Sequence, residues 1–183
     1  MKKVILLFIL PLTICISARS QTYKAGDNIV SVGLGFGGSL GNYGGSTQSP
    51  EINAQYERGI WEVGPGVISI GGYLGYKSYK YSDANTTVKQ DYTIVGGRGA
   101  YHFTGLNIDH LDVYGGIMIS YDHSSLSYTY NNGTGNSSYN PSGSGVEVSP
   151  FVGGRYYFAG GLGAYAELGF GVNNFNTGLC YRF

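Results

Sequence analysis

Asn176-Thr177-Gly178-Leu179-Cys180-Tyr181-Arg182-Phe183 is the stretch on which the fold turns. In an extended strand successive side chains point to opposite faces, so Thr177, Leu179, Tyr181 and Phe183 share one face and Gly178, Cys180 and Arg182 the other. The bulky apolar face needs oil or a core. The small, charged face needs water or partners. This two-faced pattern recurs upstream in segments of about ten residues separated by turn-rich stretches, the signature of strands that cross a membrane as a closed barrel.

In residues 28–37, Val30, Val32, Leu34 and Phe36 oppose Ser31, Gly33, Gly35 and Gly37. The second segment sets Ile52, Ala54 and Tyr56 against Glu51, Asn53, Gln55 and Glu57. The third, 67–79, sets Ile68, Ile70, Leu74 and Tyr76 against Ser69, Gly71, Tyr73, Gly75 and Lys77. The fourth, 89–103, places Val95, Tyr101 and Phe103 opposite Arg98 and His102, but leaves Tyr92 and Ile94 on the polar side, and a bulge near Gly96 is expected to restore the phase. The fifth opposes Leu111, Val113, Ile117, Ile119 and Tyr121 to Asp112, Tyr114, Met118, Ser120 and Asp122. The sixth opposes Val146, Val148, Val152, Tyr156 and Phe158 to Glu147, Ser149, Gly153 and Arg155. The seventh, 162–172, opposes Ala164, Ala166, Leu168, Phe170 and Val172 to Tyr165, Glu167 and Gly169, and the quoted stretch is the eighth.

Short connections are expected at 58–62, 104–110 and 159–161, with longer stretches at the other end and a brief one at 173–175. Short turns face the periplasm in such barrels and long loops face outward. The longest loop, 122–144, is built from Ser, Asn, Gly and Tyr and is expected to extend as a β-ribbon carrying Tyr128, Tyr130 and Tyr139. Tyrosine among small polar residues makes an adaptable contact surface, so an extracellular ligand is one reading and a hydrated cap the other.

A soluble β-sandwich also alternates, so the choice depends on which face is the core. Gly-rich, weakly bulky strands make a poor dry core, whereas an eight-stranded barrel has an interior just wide enough for side chains. Glu51, Glu57, Arg98, Asp112, Arg155, Glu167 and Arg182 are the candidate inward charge network, with Lys77 and Glu147 on the same face. Either they line a polar pathway or they pair and fill the lumen. Pairing is the reading we favour, because unpaired charges in a narrow lumen are costly. The expected fold is therefore an all-β, eight-stranded, antiparallel, up-and-down transmembrane barrel.

Residues 1–20 read as a secretory signal: Lys2 and Lys3, an apolar run from Val4 to Ile16, then small residues before Gln21. That run is about 13 residues and contains Pro11, too short for the roughly 20 that span a bilayer as a helix. Cys15 would suit a lipoprotein signal, but Ile14 precedes it where a small residue is usual. Removal of the signal leaves 21–183 as one barrel domain with Cys180 as its single cysteine, so no internal disulfide is expected. The chain holds 32 Gly, 18 Tyr and 8 Phe, which favours strands, and its 11 basic and 11 acidic residues give no electrostatic footprint for nucleic acid. His102 and His110 lack metal-site spacing. Gly33-Leu34-Gly35-Phe36-Gly37-Gly38 is followed by no helix, so it reads as strand, not as a dinucleotide loop. No cofactor is expected, and a monomer surrounded by outer-membrane lipid is.

The ending Gly178 to Phe183, with Leu179, Tyr181 and Phe183 at alternate positions, resembles the carboxy-terminal signal that the barrel-assembly machinery recognises. With Gly96-Gly97-Arg98-Gly99-Ala100-Tyr101-His102-Phe103 and Gly153-Gly154-Arg155-Tyr156-Tyr157-Phe158, the mature chain resembles the OmpA/OmpX-like small outer-membrane barrels over essentially its whole length. That resemblance implies outer-membrane location but no one activity, since such barrels include adhesins, structural anchors and lipid-modifying enzymes. No cell-wall-binding domain is expected beyond the barrel. His123-Ser124-Ser125 is similar in spacing to the His-x-Ser of outer-membrane lipid A deacylases, with Glu147 as a conceivable third group, but Leu126 stands where those enzymes carry asparagine. A nucleophilic serine needs an oriented base, so the expectation is that the chain is not an enzyme.

Overall fold

The computed structural model describes residues 23–39, 47–82, 86–106, 108–131, 136–139 and 141–183; the signal segment expected at 1–20 lies outside them. The described strands are β1 (Asn28–Phe36), β2 (Thr47–Gln48), β3 (Glu51–Val63), β4 (Gly66–Ser82), β5 (Thr86–Phe103), β6 (Leu111–Asn131), β7 (Asn136–Tyr139), β8 (Ser142–Ala159), β9 (Leu162–Gly169) and β10 (Phe175–Arg182). Eight of them form one antiparallel ring in the order β1, β3, β4, β5, β6, β8, β9, β10, and β1 pairs with β10 to close it. At the seam the Asn28 amide donates to the Phe183 carbonyl at 3.0 Å and the Phe183 amide returns the bond at 2.9 Å. Closure leaves no sheet edge within the ring, the condition for a sheet in lipid. The short strands β2 and β7 add to β4 and β6.

The registers fix the barrel's geometry. From Tyr156 the facing partners run through Ala164, Leu179, Val32, Ala54, Leu74, Val95 and Tyr121 and return to β8 at Val146. The walk re-enters its own strand ten residues from where it began. Ten residues at about 3.3 Å each, tilted by about 40°, rise roughly 25 Å, the height of the apolar band in outer-membrane barrels. That row therefore climbs from the turn-side interface at Tyr156 to the loop-side interface at Val146.

All members of this row point outward. Val32 and Leu179 are exposed by 61% and 53%, whereas the inward Arg155 and Lys77 are exposed by 1% and 0%. A soluble protein buries its apolar side chains, and here the polarity is inverted, which only lipid around the ring resolves. Tyr101, Phe103, Tyr156, Phe158, Tyr181 and Phe183 lie outward toward the turn side, and Phe36, Tyr76, Tyr121, Phe170 and Phe175 toward the loop side, giving two aromatic girdles.

Three expectations are corrected. Pairing of β5 with β4 and with β6 is continuous through Gly96, so no bulge restores the phase. Tyr92 and Ile94 instead stay inward, and Ile94 packs with Tyr73, Met118 and Val172 and with the partly buried Phe151 as an apolar layer across the lumen. Alternation alone puts Val172 outward. Strand β9 ends at Gly169 and Gly171 adopts φ of 105°, which turns Val172 into that layer. Finally, residues 58–62 are strand: β3 runs on to Val63 with a register shift between Gly59 and Trp61, and the turn is made by Gly64, at φ of 56°, and Pro65.

Candidate functional site

Two regions concentrate the chemistry: the lumen, and the sheet that continues above the ring. Glu57 projects inward from β3 because it follows Glu51, Asn53 and Gln55 at two-residue intervals, and it sits where two guanidiniums and an imidazole converge. Arg155 Nη2 lies 3.0 Å from Glu57 Oε1, Arg98 Nε 3.0 Å from Glu57 Oε2, and His102 Nε2 3.3 Å from Glu57 Oε1. Arg98 also donates from Nη2 to Glu167 Oε1 at 2.6 Å and from Nη1 to Gln55 Oε1 at 2.5 Å. Arg155 Nη1 reaches Asp112 Oδ2 at 3.3 Å, and His102 Nδ1 lies 2.9 Å from Asp112 Oδ1. Thus three carboxylates face two guanidiniums and one imidazole, all buried.

Rings and amides complete the filling. Arg155 lies over the Tyr114 ring at 4.1 Å and Arg98 over Phe151 at 4.2 Å, while the Tyr114 hydroxyl donates to Glu167 at 2.9 Å. Tyr165 reaches across the lumen to Asn53 and Asn176, each at 3.2 Å. It has room because residue 33 is glycine: a Cβ there would stand 2.1 Å from the Tyr165 hydroxyl. A cavity of about 40 Å³ remains between Arg98, Glu167, Tyr73, Met118 and Phe151, space for a few waters at most.

Of the charges singled out in the sequence, Glu57, Arg98, Asp112, Arg155 and Glu167 form this one linked group. Glu51 stands apart, accepting a hydrogen bond from Tyr73 on the loop side of the apolar layer. Arg182 lies over the Tyr157 ring at 4.4 Å. His102, Gln55 and Tyr114 enter the network without having been singled out for it. Alternation puts His102 on Arg98's face, which is the signal that points to it; no group of three or more His, Cys, Asp or Glu suited to a metal occurs among the described residues.

The loop-side mouth is covered by the segment leaving β1. Lys77 Nζ donates to the Gly37 carbonyl at 2.5 Å, Ser39 bonds Glu147, and the Ser39 amide donates to the Gly171 carbonyl at 2.8 Å. Beyond it, β4, β5 and β6 continue as a sheet as far as the pairs Ser82 with Thr87 and Thr86 with Tyr130, and β7 adds a further strand. Tyr128 and Tyr139 stack at 6.3 Å on this sheet; the Tyr130 side chain lies outside what is described. Lys80 stands directly opposite Lys89, and Lys89 pairs with Asp91 at 2.9 Å. Strand β8 meets β9 only from Phe151 onward, so among the described residues 142–149 have no strand on that side.

His123 Nδ1 lies 3.1 Å from the Ser144 hydroxyl. Glu147 is not its orienting acid: it faces Ser120 in register and turns inward to Ser39. The triad suggested by the spacing is therefore not assembled.

Neither a protein-family model nor a curated protein sequence matches the chain. Among solved structures, the crystal structure of Ail, the attachment invasion locus protein of Yersinia pestis, matches with a TM-score of 0.56 and 13% identity, covering 87% of this chain and all of that one. Ail in complex with the heparin analogue sucrose octasulfate matches with a TM-score of 0.54 and 12% identity over the same shares. The likeness is one of fold: the chain is an eight-stranded transmembrane barrel with the architecture of Ail, the kind of fold that resemblance to the OmpA/OmpX-like barrels implied.

Proposed function

We propose that the protein is a bacterial outer-membrane barrel whose working surface is the sheet above the membrane, and that the ring serves as its anchor. The observation that carries this reading is the continuation of β4, β5 and β6 past the ring. Tyr128 lies seven residues beyond Tyr121 of the loop-side girdle, about 18 Å higher at that tilt. Such a sheet is costly to order unless its surface is used. Tyr128 and Tyr139 supply contact area, the side of β8 at 142–145 that meets no strand among the described residues offers an edge to an extended peptide, and Lys80 and Lys89 supply positive charge. A sulfated glycan is a natural first ligand to test, because an Ail structure holds a heparin analogue.

In this reading residues 1–20 are removed before Gln21, the short turns face the periplasm, and Leu179, Tyr181 and Phe183 are read by the barrel-assembly machinery. The ion network of Glu57, Arg98, Asp112, Arg155 and Glu167 fills the lumen and conducts nothing. The test is to replace residues 127–140 with a two-residue turn and compare binding of whole cells to immobilised heparin and to extracellular-matrix proteins. Loss of binding, with the outer-membrane fraction and the heat-dependent gel shift unchanged, supports the reading. Unchanged binding together with altered solute uptake overturns it in favour of a solute-handling barrel.

A further inference from the structure

The segment ahead of β1 does not trail away from the barrel. Tyr23 is 2% exposed and its ring lies 4.1 Å from that of His102, inside the turn-side mouth. It packs in one buried cluster with Ile29, Val67, Tyr157, Tyr165 and Cys180. The residues that follow are tied down by few bonds. The Gly26 amide donates to the Gly59 carbonyl at 2.9 Å, the Gly59 amide to the Asp27 carbonyl at 3.0 Å, and the Lys24 amide to Asp27 Oδ2 at 3.1 Å. Position 59 suits this contact because it lacks a side chain: a Cβ there would stand 2.5 Å from the Lys24 carbonyl.

The docking is incomplete in one respect. The Tyr23 hydroxyl is buried and finds no hydrogen-bond partner among the described residues, and the same holds for that of Tyr157 in the same cluster. A buried phenol with no acceptor loses the hydrogen bond it has in water, so the phenol pulls the ring out while its apolar body holds it in. Beneath it lies the ion network, closed on the other side by the layer of Tyr73, Ile94, Met118 and Val172.

We infer that residues 23–27 are a releasable plug of the turn-side mouth, with Tyr23 as its stopper. Its departure opens a dead-ended vestibule that reaches His102 and Cys180 but not the far side of the membrane. Opening thus admits small polar solutes from one side without creating a pore. Tyr23→Phe keeps the stopper and removes the unsatisfied hydroxyl, so it tightens the plug. Tyr23→Ala removes the stopper. Gly59→Ala leaves the ring intact but drives the strap from its seat.

Cys180 reports the state of the plug, since it shares the cluster with Tyr23 and is itself buried. The experiment is the rate at which a small cationic methanethiosulfonate modifies Cys180 in protein extracted from membranes, where removal of residues 1–20, checked by intact mass, leaves that one thiol. Tyr23→Ala and Gly59→Ala are expected to react at least about tenfold faster than the parent, and Tyr23→Phe no faster than it. In planar bilayers all of them remain non-conducting. Equal rates for the parent and Gly59→Ala, a faster rate for Tyr23→Phe, or steady conductance in either opened variant would overturn the proposal. An unchanged heat-dependent gel shift shows that the ring is folded, and Gly59→Ala and Tyr23→Phe decide the matter if Tyr23→Ala fails to assemble.

Discussion

Glu57 and Arg155 meet at 3.0 Å although their strands, β3 and β8, are not neighbours anywhere in the ring. Their contact spans the lumen, so it forms only when the sheet has curled shut. Removing Arg155 takes one of two guanidiniums from a buried group of three carboxylates, leaving Glu57 to Arg98 and His102 and Asp112 to His102 alone. Arg155→Met is expected to destabilise the barrel by about 3–5 kcal/mol, and Glu57→Gln combined with it by less than the sum of the two changes. Urea titration of the heat-dependent gel shift measures both, and additive losses would refute the coupling.

The apolar layer predicts where a leak would and would not arise. Arg98→Ala or Glu167→Gln disturbs the network but leaves Tyr73, Ile94, Met118 and Val172 in place, so planar-bilayer recordings are expected to show no steady conductance. A current in either single variant would sink the plugged-lumen proposal. Ile94→Ala should lower stability by about 2–4 kcal/mol through the cavity it leaves.

The tilted row from Tyr156 to Val146 turns sequence position into depth. Ala54 stands near its middle and Val146 at its loop-side end. Arginine at Ala54 is expected to cost about 2–4 kcal/mol and arginine at Val146 about 0–1 kcal/mol, because the penalty peaks at the bilayer midplane. Equal penalties in lipid-vesicle unfolding experiments would mean that the row does not climb through the membrane.

Gly33→Ala places a methyl group where the Tyr165 hydroxyl now lies. Expulsion of that hydroxyl strands the amides of Asn53, Gln55 and Asn176, which all bond it. A loss of about 1–3 kcal/mol is expected, and Tyr165→Phe in the same chain should add little to it, because the hydroxyl has already left its partners. A double loss equal to the sum of the two single losses would place the cost in the backbone instead, where the Thr177 carbonyl would lie 2.6 Å from the new methyl group.

Much of this was legible in the sequence because a strand's period of two is insensitive to what lies on either face. Glu51, Glu57, Arg98, Asp112, Arg155 and Glu167 were placed inward by counting alone. Which carboxylate meets which arginine was not legible, since Glu57 and Arg155 are 98 residues apart and their contact depends on the ring's stagger. Tyr92 and Ile94 misled because a lumen was assumed to be polar throughout, whereas a narrow one also accepts an apolar layer. Val172 misled because one left-handed glycine, Gly171, reverses the phase. Tyr23 gave no signal at all: a single aromatic ahead of the first strand has no periodicity to betray it.

The reciprocal bonds between Asn28 and Phe183 carry a last consequence. A chain whose first and last strands lie side by side is, in effect, circular. Joining its ends by a short linker and cutting it at 83–85 should rebuild the same cylinder from a different starting point. Such a permuted chain would, however, carry Phe183 in mid-sequence, which separates what holds the barrel together from the assembly signal proposed for that residue.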